Sequence, residues 1–235
     1  MAQAKIYGIV SAKGGVGKTT IVANLGAVLS RDFKKKVLAV DANVEVPNLH
    51  LYLDMLHLPS ALQNILKDEI SIAHSTYTHK TGLDIIPGSF SEEGVDVTRL
   101  KNVIDLVKEQ YEIILVDSHP HVDMETQAVM EASDELLIVT NPWIPIVTSN
   151  LLTIRLANAV GVPMKGVILN KVKRSDEEMS AKEVEDSLKL PVLAKIPADI
   201  NVYRGVEKRT PVVVEVPNSP ASKEFRNLAA TLLGN

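Results

Sequence analysis

The sequence predicts a three-layer α/β fold, in which a mostly parallel central sheet is flanked by helices on both faces. Three observations support this fold class. Short apolar runs alternate with longer stretches in which apolar residues recur at helical spacing. The runs are apolar almost throughout, which is typical of strands that are buried on both sides in a parallel sheet. A glycine-rich turn, at residues 12–19, joins the first apolar run to the first helical stretch.

The order of the elements follows from this alternation. Seven apolar runs are predicted as strands: residues 6–10, 37–41, 83–87, 113–117, 135–140, 166–170 and 192–196. Six stretches are predicted as helices: residues 19–30, 96–109, 124–132, 146–160, 176–188 and 222–233. Residues 53–81 are less regular, with helical spacing around residues 62–66 and a polar tail. Because no linker-like change of composition and no repeat divides the chain, residues 1–235 are predicted to form a single domain.

The composition excludes several classes of protein. Of the 235 residues, 46% are hydrophobic and 23% are charged, as in ordinary globular proteins. A net charge of -4 argues against wholesale electrostatic binding to nucleic acid. The absence of cysteine excludes disulfides, thiolate zinc sites and iron–sulfur clusters. No apolar run approaches the ~18 residues of a membrane helix and no signal peptide is evident, so a cytoplasmic location is expected.

The glycine-rich turn predicts a phosphate-binding site. Its sequence is Ala12-Lys13-Gly14-Gly15-Val16-Gly17-Lys18-Thr19, which matches the P-loop pattern G-x-x-x-x-G-K-[ST] except at Ala12. In such a loop the backbone N–H groups hold a nucleotide triphosphate, the lysine contacts the phosphates and the hydroxyl serves Mg²⁺. The following helix, which includes Thr20, adds its N-terminal dipole to the anion site. A three-layer P-loop NTPase is therefore predicted.

The second lysine of the turn, Lys13, has no task inside this phosphate cradle. It lies where the loop turns away from its own phosphates, so we expect Lys13 to reach a phosphate that is held by another subunit. The chain is therefore predicted to form a nucleotide-dependent dimer.

Two carboxylates are predicted to lie beside the loop. Asp41 and Asp117 each end an apolar strand, and in open parallel sheets ligands bind beyond the carboxyl ends of the strands. An apolar run that ends in Asp is the Walker B pattern, whose carboxylate acts on Mg²⁺ directly or through water. Thr19, Asp117 and Asp41 are therefore the candidate metal-site residues.

Several separate motifs resemble the MinD/ParA family of ATPases, over nearly the full chain. Residues 13–20 are similar to its deviant Walker A motif, and Asp117-Ser118 is similar to its Walker B and switch II segment. The switch I region is matched by Asp41-Ala42-Asn43 with Asn48-Leu49, and the segment after the next strand by Thr140-Asn141-Pro142. The late runs at residues 196–199, 210–213 and 219–221 resemble the C-terminal part of archaeal-type members.

This resemblance implies roles for further residues. It implies ATP and Mg²⁺ as cofactors, and a homodimer that forms with ATP and in which Lys13 crosses the interface. Asn170 matches the asparagine that reads adenine, with Lys171 and the loop Pro197, Ala198 and Asp199 enclosing the base. The implied function is an ATP-hydrolysing dimerisation switch that positions cellular cargo, such as a division site, chromosome or plasmid, with a protein partner or activator.

Asn43 departs from the family pattern, which usually has Asp-x-Asp at residues 41–43. An amide cannot accept a proton, so general-base help to the attacking water would be lost, which is typically worth about 10²–10⁴-fold. Three explanations are open: hydrolysis is slow, Glu45 takes over, or the substitution was engineered to trap ATP. We favour slow hydrolysis, with Lys13, Lys18, Asp41 and Asn43 as the candidate catalytic residues.

Other departures concern the surface. His119-Pro120-His121 follows Walker B where relatives have small residues, and a switch loop that faces a partner is favoured over a metal or proton-relay site. Packing against the sheet is favoured over a partner contact for Trp143. The chain ends at Leu232-Leu233-Gly234-Asn235 without a basic amphipathic tail, so no autonomous membrane anchor is expected.

Three alternative functions compare less well with the sequence. A hydrolysis-poor, ATP-clamped dimeric scaffold that recruits a protein partner is the main alternative, because of Asn43. A metal-cofactor assembly ATPase would carry its metal on cysteine pairs, which this chain lacks. DNA binding through Lys171, Lys173 and Arg174 is not supported by the net charge.

Overall fold

Eight strands form a single sheet at the centre of the computed structural model, which describes residues 3–90, 95–173 and 175–234. The spatial order is β3-β4-β2-β5-β1-β6-β7-β8, and β3 alone of these strands runs antiparallel to its neighbour, β4. The strands are β1 (Lys5–Val10), β2 (Val37–Asp41), β3 (Tyr77–Thr78), β4 (Asp84–Ile86), β5 (Ile113–Asp117), β6 (Glu135–Thr140), β7 (Met164–Val172) and β8 (Val192–Pro197). The five central strands β2, β5, β1, β6 and β7 therefore present their carboxyl ends at one edge.

Helices cover both faces of this sheet. They are α1 (Lys18–Arg31), α2 (Leu49–Tyr52), α3 (Leu62–Leu66), α4 (Leu100–Asp105), α5 (Met124–Glu131), α6 (Ile144–Val160), α7 (Ala181–Leu188), α8 (Ile200–Glu207), α9 (Val212–Glu215) and α10 (Pro220–Leu233). Side chains alternate along each strand, so neighbouring residues enter different cores. Ile9 belongs to the core that includes α1 and α10, and Val10 belongs to the core that includes α4 to α7. The two cores confirm the predicted three-layer fold class.

The elements differ from the prediction in their lengths and number. The predicted helix at residues 96–109 is broken into a 3₁₀ turn (Val97–Arg99), α4 and a second 3₁₀ turn (Lys108–Gln110). The helix predicted at residues 176–188 begins only at Ala181, because Ser180 and Glu183 form a capping box there. The irregular segment at residues 53–81 contains β3, which pairs in register with β4.

Helices α8 and α9 were not predicted. Both contain β-branched valines and lack a long helical repeat, so local propensity did not favour them. Tertiary packing places α9, because Val212 and Val213 are buried in the core with α1 and α10 and the Val213 N–H donates to the Asn24 side-chain oxygen of α1 (3.3 Å). The turn between α8 and α9 is held locally, where the Thr210 N–H donates to the Gly205 carbonyl (2.8 Å). Among the residues described, no helix has both the length and the apolar character needed to cross a membrane.

Candidate functional site

The glycine-rich loop lies between β1 and α1, as its sequence predicted. Gly17 precedes α1 with φ of 104°, and Gly15 has φ of 74°, both in the left-handed region that favours glycine. Gly17 is also needed for space, because a Cβ atom there would lie 2.3 Å from the Asn170 side-chain nitrogen. The loop therefore presents its backbone at the N-terminus of α1, which is the geometry that binds phosphate.

Asn150 of α6 supports the start of this loop. Its Oδ1 accepts hydrogen bonds from the Ala12 backbone N–H (3.1 Å) and the Ser11 hydroxyl (3.3 Å). The sequence reasoning missed this residue, although the signal existed. Asn150 lies on the buried face of α6 together with Val147, and a polar residue at such a position needs a partner.

Asn170 and Lys171, at the end of β7, support the other side of the loop. The Asn170 amide donates to the Val16 carbonyl (2.8 Å), and the Lys171 ammonium donates to the Gly15 carbonyl (2.7 Å). Asn141, which follows β6, donates to the Asn170 carbonyl (3.0 Å). The side-chain nitrogen of Asn170 thus donates to the loop. The side-chain oxygen of Asn170 is an acceptor, as the amino group of adenine requires.

Asp117 lies beneath the loop with the residues that the motif predicted. One carboxylate oxygen accepts from the Thr19 hydroxyl (2.6 Å), and the other is buried without a hydrogen-bond partner. Burial raises the pKa of Asp117, although Lys18 and Thr19 oppose this shift. Burial also lowers the pKa of Lys18, against the opposing effect of Asp117. A hydroxyl beside a carboxylate with one unpaired buried oxygen fits the oxygen ligands that Mg²⁺ prefers.

Asp41 is paired in register with Asp117, since β2 and β5 are neighbours. It is fully buried, and its two oxygens accept backbone N–H groups from Asn43 (3.2 Å), Asn48 (2.9 Å) and Leu49 (2.9 Å). Burial raises the pKa of Asp41, Asp117 adds to the shift, and these hydrogen bonds oppose it. In this structure Asp41 anchors the loop after β2, and its predicted role at the metal stays a prediction.

The loop after β2 is closed by Asn43. Its amide nitrogen donates to the Val46 carbonyl (2.8 Å), and its amide oxygen accepts from the Val46 N–H (3.1 Å). Asn43 lines the cleft at the loop, whereas the Glu45 carboxylate lies 3.1 Å from the His119 ring. The position of Glu45 therefore does not favour the explanation in which it replaces the missing aspartate.

A cleft of about 600 Å³ extends from the glycine loop to α8. Its lining includes these predicted residues: Gly14, Gly15, Gly17, Lys18, Thr19, Thr20, Asn43, Asn170, Lys171, Pro197, Ala198 and Asp199. The same cleft is lined by Val202, Tyr203 and Val206 of α8, which the sequence reasoning missed because α8 was not predicted. This end of the cleft combines apolar side chains with a few polar groups, as small-molecule sites do.

Asp199 positions α8 at the cleft. Its Oδ1 accepts from the Asn201 N–H (2.9 Å) at the start of α8, and its Oδ2 accepts from the Ala221 N–H (3.3 Å) in α10. Burial raises the pKa of Asp199, but these hydrogen bonds outweigh burial and hold the pKa below its usual range. Asp199 is therefore ionised at neutral pH and acts as a helix cap.

Other predicted residues lie away from the cleft lining. Val16 is buried in the core, so it offers only its backbone, and the Lys13 side chain is exposed on the loop. Within the described ranges no group of three or more His, Asp or Glu side chains could hold a metal ion, and the interpretation of His119 and His121 as switch-loop residues stays a prediction. Arg174 lies outside the described residues.

The expectation for Trp143 was wrong. The side chain is 54% exposed, so it does not pack against the sheet. Trp143 is the residue before α6, and the helix begins directly after it with Pro145 in its first turn. Trp143 thus lies in the turn between β6 and α6, where its indole is largely exposed to solvent.

Comparisons with known proteins agree with this geometry. A model of the CobQ/CobB/MinD/ParA nucleotide-binding domain matches residues 7–212. An uncharacterised ATP-binding protein of Methanocaldococcus jannaschii is 33% identical over 232 residues, covering 97% of this chain and 88% of that protein.

Two solved structures share the fold over almost their whole length. The cell division ATPase MinD of Pyrococcus furiosus has a TM-score of 0.94 and 31% identity, covering 98% of this chain and 99% of that chain. The septum site-determining protein MinD of Pyrococcus horikoshii, complexed with Mg-ADP, has a TM-score of 0.93 and 30% identity, covering 97% of this chain and 96% of that chain.

The family match thus includes the glycine loop, both strand-end carboxylates and Asn170. Its members are nucleotide-binding domains, and ATP with Mg²⁺ is the cofactor pair that the sequence predicted for this chain. The matched residues make up most of the sequence, and the archaeal relative is similar over nearly its full length. The chain therefore belongs to the CobQ/CobB/MinD/ParA family of nucleotide-binding domains.

Proposed function

We propose that this protein is an ATP- and Mg²⁺-dependent dimerisation switch that positions cellular cargo. The observation that carries the proposal is the contact between Thr19 and Asp117 beneath a glycine loop, with Lys18 buried beside them. Lys18 and the loop backbone would bind the phosphates, and Thr19 and Asp117 would hold Mg²⁺. The base would lie at the other end of the cleft, between Asn170 and α8.

The dimer is supported by the position of Lys13. Its side chain is exposed, and it does not line the cleft of its own subunit. An ammonium group beside a phosphate cradle is attracted to any phosphate that a second copy brings close. ATP would therefore join two subunits, with each Lys13 contacting the nucleotide of the other.

Hydrolysis is proposed to be slow. Asn43 cannot accept a proton, and both polar atoms of its side chain are occupied by Val46. ATP would remain bound long enough for the dimer to act, until a partner repositions the loop. If turnover is negligible even with a partner, the protein is instead the ATP-clamped scaffold that Asn43 also favours.

A protein partner is supported by the outer face of α6. Trp143, Ile144 and Leu152 expose more than half of their side chains along this helix and the residue before it. Exposed apolar groups that cluster on one helix are typical of protein interaction sites. DNA is less favoured as a partner, because the Lys171 ammonium binds the glycine loop rather than facing outward.

The test is the oligomeric state of the Lys13→Ala variant by light scattering. With a non-hydrolysable ATP analogue and Mg²⁺, wild-type protein should be dimeric, and with ADP it should be monomeric. Lys13→Ala should bind the analogue but stay monomeric. Lys80→Ala, which removes an exposed lysine far from the loop, serves as the control and should dimerise. A monomeric wild type with the analogue, or a dimeric Lys13→Ala, would contradict the proposal.

A further inference from the structure

His119 lies between the loop that follows β2 and the loop that follows β5. Its Nδ1 is 2.7 Å from an Asp123 carboxylate oxygen, and its Nε2 is 3.1 Å from a Glu45 carboxylate oxygen. The side chain is only 5% exposed. Both partners are carboxylates, which only accept hydrogen bonds, so an imidazole that carries a proton on each ring nitrogen donates to both of them. We call the three residues Glu45, His119 and Asp123 the clasp.

The Asp123 end of the clasp is firmly held. Asp123 caps α5, because its other oxygen accepts from the Thr126 N–H (3.0 Å). A second carboxylate, Glu125, has an oxygen 4.0 Å from Nδ1 of His119. His119 is therefore fixed to the start of α5 whether or not Glu45 is present.

The Glu45 end is easily released. The Glu45 side chain is 65% exposed, and a contact to such an exposed carboxylate is weak and is screened by salt. Glu45 belongs to the loop at residues 43–48, which is closed by the two hydrogen bonds between Asn43 and Val46. The Asp41 carboxylate also holds this loop at both of its ends, so the loop forms one unit that would move together.

The clasp thus connects two parts of the nucleotide site. On one side is the loop that carries Asn43, and on the other is the loop that follows Asp117, the carboxylate bonded to Thr19. His119 does not line the cleft, so any effect on bound nucleotide must act through these loops.

We propose that His119 is a positioning residue that couples the two loops, so that a change in either loop is transmitted to the other through Glu45. The inference deepens the proposed switch and rests on it, because the γ-phosphate would be the group that moves one of the loops. Nucleotide-dependent switching of this kind needs two arrangements that differ in free energy, and a weak cross-loop contact gives a reversible choice between them.

The first test measures amide hydrogen exchange in the nucleotide-free protein. Glu45→Ala should speed exchange in residues 118–123, and His119→Asn should speed it in residues 43–48, each by roughly twofold to fivefold as expected for one weak side-chain contact near the surface. The double variant should exchange no faster than the faster single variant. His57→Asn is the control, since it changes an exposed histidine outside both loops. The coupling is overturned if each variant affects only its own loop, or if His57→Asn has the same effect.

The second test separates the clasp from the switch. We would compare dissociation constants for Mg-ADP and for a non-hydrolysable Mg-ATP analogue. Glu45→Ala and His119→Asn should each change the ratio of the two constants by about twofold to fivefold. The double variant should change this ratio no more than the single variants do, because both substitutions remove the same contact. Additive or equal changes for both nucleotides would overturn the coupling. A wild type that binds both nucleotides equally would refute the switch, and the exchange measurement would then decide on the clasp alone.

Discussion

The amide of Asn43 both donates to and accepts from the backbone of Val46, and a carboxylate at residue 43 could only accept. An aspartate there would face the Val46 carbonyl oxygen, so it would leave this position. Because Asn43 already lines the cleft, the freed carboxylate would be available to a water molecule there. The substitution therefore changes both the chemistry of the side chain and the closure of its loop.

Asn43→Asp should raise the ATPase rate at least about tenfold, because general-base help is typically worth about 10²–10⁴-fold. Phosphate release under saturating Mg-ATP is the measurement. Asn43→Ala, which opens the loop without adding a base, is the control and should show no increase. An unchanged rate in Asn43→Asp would mean that residue 43 does not limit hydrolysis.

Single residues were predictable where they belong to a motif. Thr19 and Asp117 are 98 positions apart in the chain, yet a hydroxyl after the P-loop lysine and a strand-end carboxylate are recognisable separately. Asn150 and Tyr203 belong to no motif. Their positions depend on how α6 and α8 pack, which the sequence pattern does not specify.

At the scale of elements, α6 has two different faces. Its buried face holds the glycine loop through Asn150. Its outer face exposes Ile144 and Leu152, which are eight residues apart in the helix. A partner that binds the outer face would therefore contact the helix that supports the glycine loop.

In a pull-down from native lysate, the wild type should retain some proteins with an ATP analogue that it does not retain with ADP. The double variant Ile144→Ser and Leu152→Ser should fail to retain these proteins. Both side chains are exposed, so folding should be unaffected. Leu106→Ser is the matched control, since Leu106 is 73% exposed at the end of α4. Identical sets of retained proteins with ADP and with the analogue would contradict an ATP-dependent partner.

At the scale of the whole molecule, the buried histidine His79 links stability to pH. Burial and, to a smaller extent, Lys80 lower the pKa of His79 to about 4, against the opposing effect of Asp54. In the unfolded chain the pKa is near 6.5, so between about pH 4 and 6.5 the unfolded state binds more protons. Stability from His79 is therefore complete above this window and is lost as the pH falls through it.

His79→Asn should flatten the dependence of the melting temperature on pH between 4 and 6.5. At pH 4.5 the melting temperature of the wild type should have fallen by roughly 3 °C or more relative to that of the variant. This shift corresponds to about 1 kcal/mol of unfolding free energy in a chain of this size. Differential scanning fluorimetry at constant ionic strength gives both curves. Asp41 and Asp117, whose pKa values burial raises, act with the opposite sign, so only the difference between the two proteins isolates His79. Parallel curves would contradict the assignment.

The fold class was predictable because the information is local and repeated. Buried strands need continuous aliphatic residues, amphipathic helices need their spacing, and a phosphate loop needs glycine at Gly15 and Gly17 for its backbone angles. Each of these requirements is visible in a few consecutive residues. The family, the sheet and the nucleotide loop could therefore be recognised before any coordinates.

Contacts between distant segments were not predictable in this way. Packing alone placed α8 at the cleft, turned Trp143 into solvent, aimed Asn150 at the loop and seated His119 between Glu45 and Asp123. The physical reason is that such contacts depend on the relative positions of whole elements. The type of a residue does not show which distant residue it contacts. The sequence alone thus predicts which residues would bind the phosphates, whereas only the tertiary structure places His119 between the loops that follow β2 and β5.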